Sequence, residues 1–331
     1  MKSSNDLITA ARSLSRNSAN PDGTYSVPDS EILQYLNDGQ DRIQNLISAT
    51  KNIAKIFVYE KIISIVANQA EYSVPDRVLL NKQIEYVEYS ATGQVQDYIR
   101  LEKLNFFNRD TYPSTYPMGY FKRGNQILLQ PTPSAAQGSL RINYEREVYD
   151  LDVVRSQING VPGAGATMTL DAVGGTLITT ASGALLTLGT KVCITKSDGT
   201  PLLLNGVVAS YVAGTKVLTL AANVSTYLVG TAVLADLASQ YFTIGAYTTP
   251  FSQLPDNCER YLIHYAVAEL FHRDSSNDYS KELDIISTME EDIVKTMAAQ
   301  TGEIQFTPQI SRYEWWVILA FMALNYPSYV S

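Results

Sequence analysis

The segment SVPDSEILQYLNDGQDRIQNLISAT, residues 26–50, decides the fold class. Its apolar residues Ile32, Leu33, Leu36, Ile43, Leu46 and Ile47 recur at helical spacing. Ser26 and Asp29 have the spacing of a capping box, and Pro28 sits in the tolerant first turn, so a long amphipathic helix is expected. A shorter helix is expected upstream, over residues 4–15. Downstream, KIFVYEKIISIVANQAEYSVP (55–75) changes to a β pattern: a strand, a turn at Asn68 to Ala70, and a returning strand stopped by Pro75. Further strands are expected in QIEYVEYS, VQDYIRLE, GYFKRGNQILLQP and SLRINYEREV. Turn chemistry at Thr92-Gly93, Arg123-Gly124-Asn125 and Gln137-Gly138 separates them. Together they predict a small antiparallel β region beside helices.

After Asp152 the composition changes sharply. Residues 158–245 are rich in Gly, Thr, Ala, Val and Leu and almost without charge. Short apolar runs (ATMTLDAV, TLITTA, TKVCITK, PLLLNGVVASY, KVLTLAA, TAVLADL) are punctuated by glycine turns, which predicts an inserted all-β module, a small barrel or sandwich. GTKV occurs at 189–192 and again at 214–217, as two similar hairpins or a coincidence in a biased stretch would produce.

Helical spacing returns over residues 254–300. Pro255 and Asp256 open one helix with Tyr261, Leu262, Tyr265, Ala266 and Leu270 on its face. A break at SSND precedes a second helix carrying Leu283, Ile286, Met289, Ile293 and Met297. The expected class is α+β: a helical bundle of early and late helices, an antiparallel β region and an inserted β module. Expected units are 1–155 with 246–300 as a core, 156–245 as the insertion and 301–331 as a trailing arm.

Reactive groups are few. His264 and His272 are the only histidines, eight residues apart, so they do not form the adjacent-turn pair of a helical zinc site. His264, among Tyr261, Ile263 and Tyr265, reads as a packed histidine. Cys193 and Cys258 lie far apart in apolar surroundings and read as buried reduced thiols. Nucleophile-elbow, phosphate-loop, dinucleotide and calcium-loop motifs do not occur. The cluster Glu290-Glu291-Asp292 reads as the solvated face of a helix. Neither a catalytic residue nor a cofactor or metal site is predicted. A net charge of −8 opposes nonspecific grip on phosphates. Tyrosine outnumbers phenylalanine 22 to 9, which suits half-wet protein contacts or, equally, strands that use Tyr. The opening MKSSNDLITAARSLSR lacks the apolar core of a secretion signal, so synthesis in the cytoplasm is expected.

The order SEILQYLNDGQDRIQNLI, IISIVANQAEYSVPDRVL, YPMGYFKRGNQILLQPTPSAAQGSLRINYEREVYDLD, LPDNCERYLIHYAVAELFHRD resembles the head-to-tail adaptor proteins of short-tailed bacteriophages, also called tail tubular proteins of the A type. The likeness runs over residues 26–155 and 253–299. It implies a ring, commonly of twelve copies, docked on the portal protein within the virion neck, with DNA passing through its lumen and a nozzle or other tail protein below. An acidic lumen would let DNA slide without anchors. Cyclic assembly needs two different complementary faces on each subunit. Residues 158–245 look like an insertion that simpler adaptors lack, a candidate anchor for tail fibres. A different class of function, a carbohydrate-binding or carbohydrate-cleaving tail component, would use that module, with Tyr211, Tyr227 and Tyr241 as its aromatics.

The chain ends in SRYEWWVILAFMALNYPSYVS, residues 311–331. Eight large apolar side chains lie between Trp315 and Leu324, whose burial is worth roughly 12–24 kcal/mol before ordering entropy. A membrane span needs about 20 apolar residues, twice this run, and Asn325 and Pro327 interrupt it. Packing on the chain's own core is the other rival. The expected role is a docking arm, with Trp315, Trp316, Ile318, Leu319, Phe321 and Met322 seated in a groove of the portal or of a neighbouring subunit.

Overall fold

The computed structural model describes residues 2–17, 20, 25–50, 57–79, 84–105, 116–171, 186–276 and 278–300. Four helices are present among them: α1 (Ser4–Leu14), α2 (Asp29–Ala49), α3 (Glu259–Arg273) and α4 (Tyr279–Gln300). The strands are β1 (Val58–Ser64), β2 (Glu71–Ser73), β3 (Tyr86–Ser90), β4 (Ile99–Arg100), β5 (Glu102–Lys103), β6 (Gly119–Arg123), β7 (Gln126–Gln130) and β8 (Ser139–Glu145). They continue as β9 (Asp150–Leu151), β10 (Ser156–Ile158), β11 (Thr167–Asp171), β12 (Lys191–Thr195), β13 (Pro201–Val212), β14 (Val217–Leu220), β15 (Tyr241–Ile244) and β16 (Thr248–Thr249).

The capping box lies on a different helix from the one expected. At α1, Ser3 Oγ accepts the Asp6 N–H at 3.2 Å, and Asp6 Oδ2 accepts the Ser3 N–H at 3.0 Å. At α2 the residue before the helix is Pro28, with no side-chain cap bond. Ser26 is too far upstream to reach the first turn and donates instead to Asn17 Oδ1 at 3.0 Å. Asp29 pairs with the buried Arg12 at 2.6 Å, tying α2 to α1. The apolar spacing of α2 is as expected, since Ile32, Leu36, Ile43 and Ile47 are buried. All four helices contribute to one apolar core with Leu7, Ile32, Ile43, Tyr261, Ala266, Ile286 and Ile293.

Two four-stranded sheets, ordered β1-β8-β3-β4 and β2-β7-β6-β5, share a second core containing Tyr72, Val87, Tyr120, Ile127 and Leu140. The returning strand expected over 55–75 does not pair with its predecessor: β1 pairs with β8 and β2 with β7. The chain crosses from one sheet to the other because Ile65 and Tyr72 both bury between them, and the Tyr72 hydroxyl receives the Val66 N–H at 3.0 Å. The single strand expected at VQDYIRLE is likewise split, with β4 in one sheet and β5 in the other. Among the described residues pairing is antiparallel apart from two short parallel couples, β5 with β6 and β9 with β16. Gly138 turns into β8 at φ +85°, and a Cβ there would lie 1.9 Å from the Ser90 carbonyl.

A closed six-stranded barrel follows, in the order β10-β11-β14-β13-β12-β15. Its own core contains Met168, Val192, Ile194, Leu203, Leu218 and Phe242. TAVLADL, expected as a strand, forms a 3₁₀ turn at Leu234–Leu237, in which Asp236 Oδ2 accepts the Val233 N–H at 2.9 Å and Leu237 plugs the core. TLITTA lies outside the described residues. Closure is made by β10 and β15, too short to stand out in the sequence.

Helices α2 and α3 approach through Gly39, where a Cβ would lie 2.9 Å from the Tyr265 ring. Gly39→Leu is expected to cost about 1–3 kcal/mol through overpacking, read as a lowered midpoint in chemical denaturation.

Candidate assembly and docking surfaces

Three amides on one stripe of α2 read the backbone of the segment joining β8 to β9. Asn37 bonds both groups of Leu151, donating Nδ2 to its carbonyl at 3.2 Å and accepting its N–H at 2.7 Å. Gln40 Nε2 donates to the Tyr149 carbonyl at 2.9 Å. Gln44 donates to the Arg146 carbonyl at 2.8 Å and accepts the Val148 N–H at 3.0 Å. The helix thus does what a neighbouring strand would do for that backbone. Ser252 donates to Gln40 Oε1 at 2.9 Å, which brings in the segment leading to α3. Gln40 and Gln44 occupy core positions that an apolar periodicity skips. The signal for Gln40 was the gap between Leu36 and Ile43; Gln44, just beyond Ile43, left none.

A stack of alternating aromatic and guanidinium groups covers the outer side of this joint. Arg146 lies 3.6 Å over the Tyr59 ring and 4.4 Å from that of Tyr149, whose hydroxyl accepts from it at 2.9 Å. Arg77 lies 5.6 and 5.2 Å from the Tyr149 and Tyr247 rings and donates to the Val148 carbonyl. Burial pushes the Tyr149 hydroxyl up to about 12, against the pull of Arg146. Asp41 is pushed up by partial desolvation, then by the carboxylates of Asp150, Glu147 and Asp38, so its rim carries concentrated negative charge.

The barrel is fastened at its entry and exit strands. Asp152 receives Arg155 through two nitrogens at 2.7 and 3.2 Å and the Ile244 N–H at 2.9 Å, and its carbonyl accepts the Ser4 hydroxyl at 2.7 Å. Arg155 also donates its N–H to the Phe242 carbonyl at 3.0 Å. One carboxylate therefore holds the barrel's first and last strands, and its residue holds the start of α1.

Most residues singled out in the sequence now have a place. His264 is packed, its Nδ1 2.8 Å from Glu282 Oε2 across the α3–α4 hairpin. Both cysteines are buried and free, and burial pushes the Cys258 thiol up to about 12. The expectation of a solvated Glu290 is corrected: its Oε1 accepts the Tyr261 hydroxyl at 2.9 Å and pairs with Arg42 at 2.8 Å, because three helices converge there. Glu291 is exposed and pairs loosely with Lys295, as a solvated face requires. Tyr211 and Tyr227 lean against the barrel core and Tyr241 packs edge-on to Phe251 at 5.0 Å, which weighs against a sugar platform built from these three. Trp315, Trp316, Ile318, Leu319, Phe321 and Met322 lie outside the described residues. Among the described residues no group of three His, Cys, Asp or Glu side chains is arranged to hold a metal. Among the same residues no helix is long and apolar enough to cross a membrane.

Gln44→Leu would leave the Arg146 carbonyl and Val148 N–H unpaired in the interior and is expected to cost about 2–5 kcal/mol for the two groups together, read by thermal or urea unfolding. For Asp41 the sign is the reverse of a salt-bridged acid. Its raised pKa means the folded state holds the proton more tightly, so ionisation above that pKa destabilises the fold. Asp41→Asn is therefore expected to raise the melting temperature at neutral pH, a gain that vanishes as the pH falls through the carboxyl range.

No curated protein sequence matches the chain. The family comparison reaches from α1 through the two four-stranded sheets to the start of the barrel and leaves out α3 and α4. Residues 4–163 match the family described as SU10 adaptor protein, and that match bears out the chain's resemblance to phage head-to-tail adaptors.

Proposed function

We propose that this protein is a structural head-to-tail connector: a ring of copies, twelve by analogy with the adaptors it resembles, that joins the portal to the tail and forms part of the DNA channel. The observation that carries the proposal is the family match over residues 4–163. The helices support it, since early and late helices share one core and can act as a bundle that bears load between two partners. The net charge of −8 per copy supports it too, because an acidic ring offers phosphates few anchors.

The adaptor core is residues 1–155 with 246–300. The barrel, 156–245, is an accessory unit that offers a platform to tail fibres or to the next tail protein. Residues 301–331 are the docking arm, with Trp315, Trp316, Ile318, Leu319, Phe321 and Met322 as its anchors. Action lies in assembly, without cofactor or catalysis.

Negative-stain images of the full chain, alone and mixed with portal rings, are expected to show closed rings. A compact monomer in both samples, above all one that clears polysaccharide, would overturn the connector in favour of the carbohydrate-cleaving alternative. A chain ending at Pro308 is expected to lose docking on portal rings or ring closure. Unchanged affinity and unchanged rings would remove the arm from the proposal.

A further inference from the structure

Among the described residues, strand β1 is the outer strand of its sheet and pairs with β8 alone. Ile65 donates its N–H to the Gly138 carbonyl at 3.1 Å, and Arg146 donates to the Phe57 carbonyl at 2.9 Å. Both couples continue the register that sets Val58 opposite Glu145 and Ser64 opposite Ser139. Antiparallel ladders alternate bonded and non-bonded couples, so Phe57, Tyr59, Lys61, Ile63 and Ile65 bond β8. The N–H and C=O groups of Val58, Glu60, Ile62 and Ser64 therefore point out of the sheet, and they find no partner among the described residues. The other outer strands of the two sheets, β2, β4 and β5, have only two or three residues, which is how sheets commonly protect their edges. Seven-residue β1 is not protected by shortness; it carries Glu60 and Lys61, and beside them Ile62 is 60% exposed.

Two kinds of strand from a second copy can be weighed for this edge. A second β1 satisfies all four outward residues only in the register that sets Lys61 against Lys61, with like charges directly opposite. The run Trp315 to Leu324 is uncharged, free of proline and rich in the aromatic and β-branched residues that strands favour. It begins fifteen residues beyond Gln300, the end of α4, a reach of about 50 Å at ~3.3 Å per residue.

We propose that residues 315–324 of one copy add as a strand to the β1 edge of the next. The proposal rests on the reading of residues 301–331 as a docking arm and supplies its socket. An arm from one copy and an edge from its neighbour are different surfaces, as a heterologous ring contact requires. Backbone bonds at Val58, Glu60, Ile62 and Ser64 give affinity, and the alternating large side chains of the arm cover Ile62 on one face and Ile63 on the other.

The test uses the full chain with Ile62→Cys combined in turn with Val317→Cys, Ile318→Cys or Leu319→Cys. The native Cys193 and Cys258 are buried and do not compete. Under mild oxidation at least one pair is expected to give a disulfide-linked ladder of dimers and higher species. Ile62→Pro removes an outward N–H without touching the β8 ladder, and Ile62→Lys places a charge on the edge. Each is expected to raise the concentration of half-assembly at least about tenfold with monomer melting unchanged. If Ile62→Pro lowers melting, Ile62→Lys decides, because that side chain is already exposed. Rings that form normally in both variants and give no cross-link overturn this socket and leave the connector standing. A cross-link confined to single chains overturns the neighbour as host. A full chain that stays monomeric at high concentration removes the ring, and this contact with it.

Discussion

Backbone that leaves a sheet must find new partners for its N–H and C=O groups, and here the partners are side chains of a helix. Residues 146–151 run from β8 toward the barrel, with Val148, Tyr149 and Leu151 buried. Water does not reach those three, although Asp150 between them is exposed. Asn37, Gln40 and Gln44 take over, and because an amide both donates and accepts, Asn37 and Gln44 each close a two-bond contact. This ladder sets the rotation of α2, since its amide stripe must face the segment while Ile32, Leu36 and Ile43 face the other helices. Everything downstream hangs from it: the β9–β16 couple, the Asp152 clasp and the approach of α3.

The barrel is joined by few groups and depends little on its surroundings for its own packing. Its core is separate from the helical core and from the core of the two four-stranded sheets, and its first and last strands pair with each other, Ser156 opposite Phe242. A unit whose chain ends meet can pack its own core with little help from the rest of the chain. Asp152 and Arg155 then fix its orientation relative to α1.

The helices share their core and also meet through a polar contact. Tyr261 and Arg42 converge on Glu290, so α2, α3 and α4 are locked by one carboxylate. Burial and that carboxylate both push the Tyr261 hydroxyl upward, keeping it a donor. Glu31 reaches Arg273 at 3.3 Å and Tyr35 at 2.9 Å, tying the other end of α2 to α3. Charge-bearing groups here lie between the elements, and that is why an acidic run read as solvated proved to be partly structural.

Much of the fold was legible in the residues. Apolar spacing placed α2, α3 and α4, the loss of charge after Asp152 marked the β module, and the order of elements suggested the adaptor family. Spacing is a local property, and it reports which face of an element is apolar. It does not report which strand lies beside which. For that reason β1 and β2 were expected as partners, while the burial of Ile65 and Tyr72 sends them to different sheets. The same holds for polar residues: Gln40, Gln44 and Glu290 look solvent-facing in a list of residue types, and only the arrival of residues 146–151 and of Tyr261 gives them buried partners. By itself the sequence determined the helices, the β character and the resemblance to the adaptors. Tertiary structure decided the pairing, the polar joints and the outer place of β1 in its sheet, because each depends on which distant segments meet.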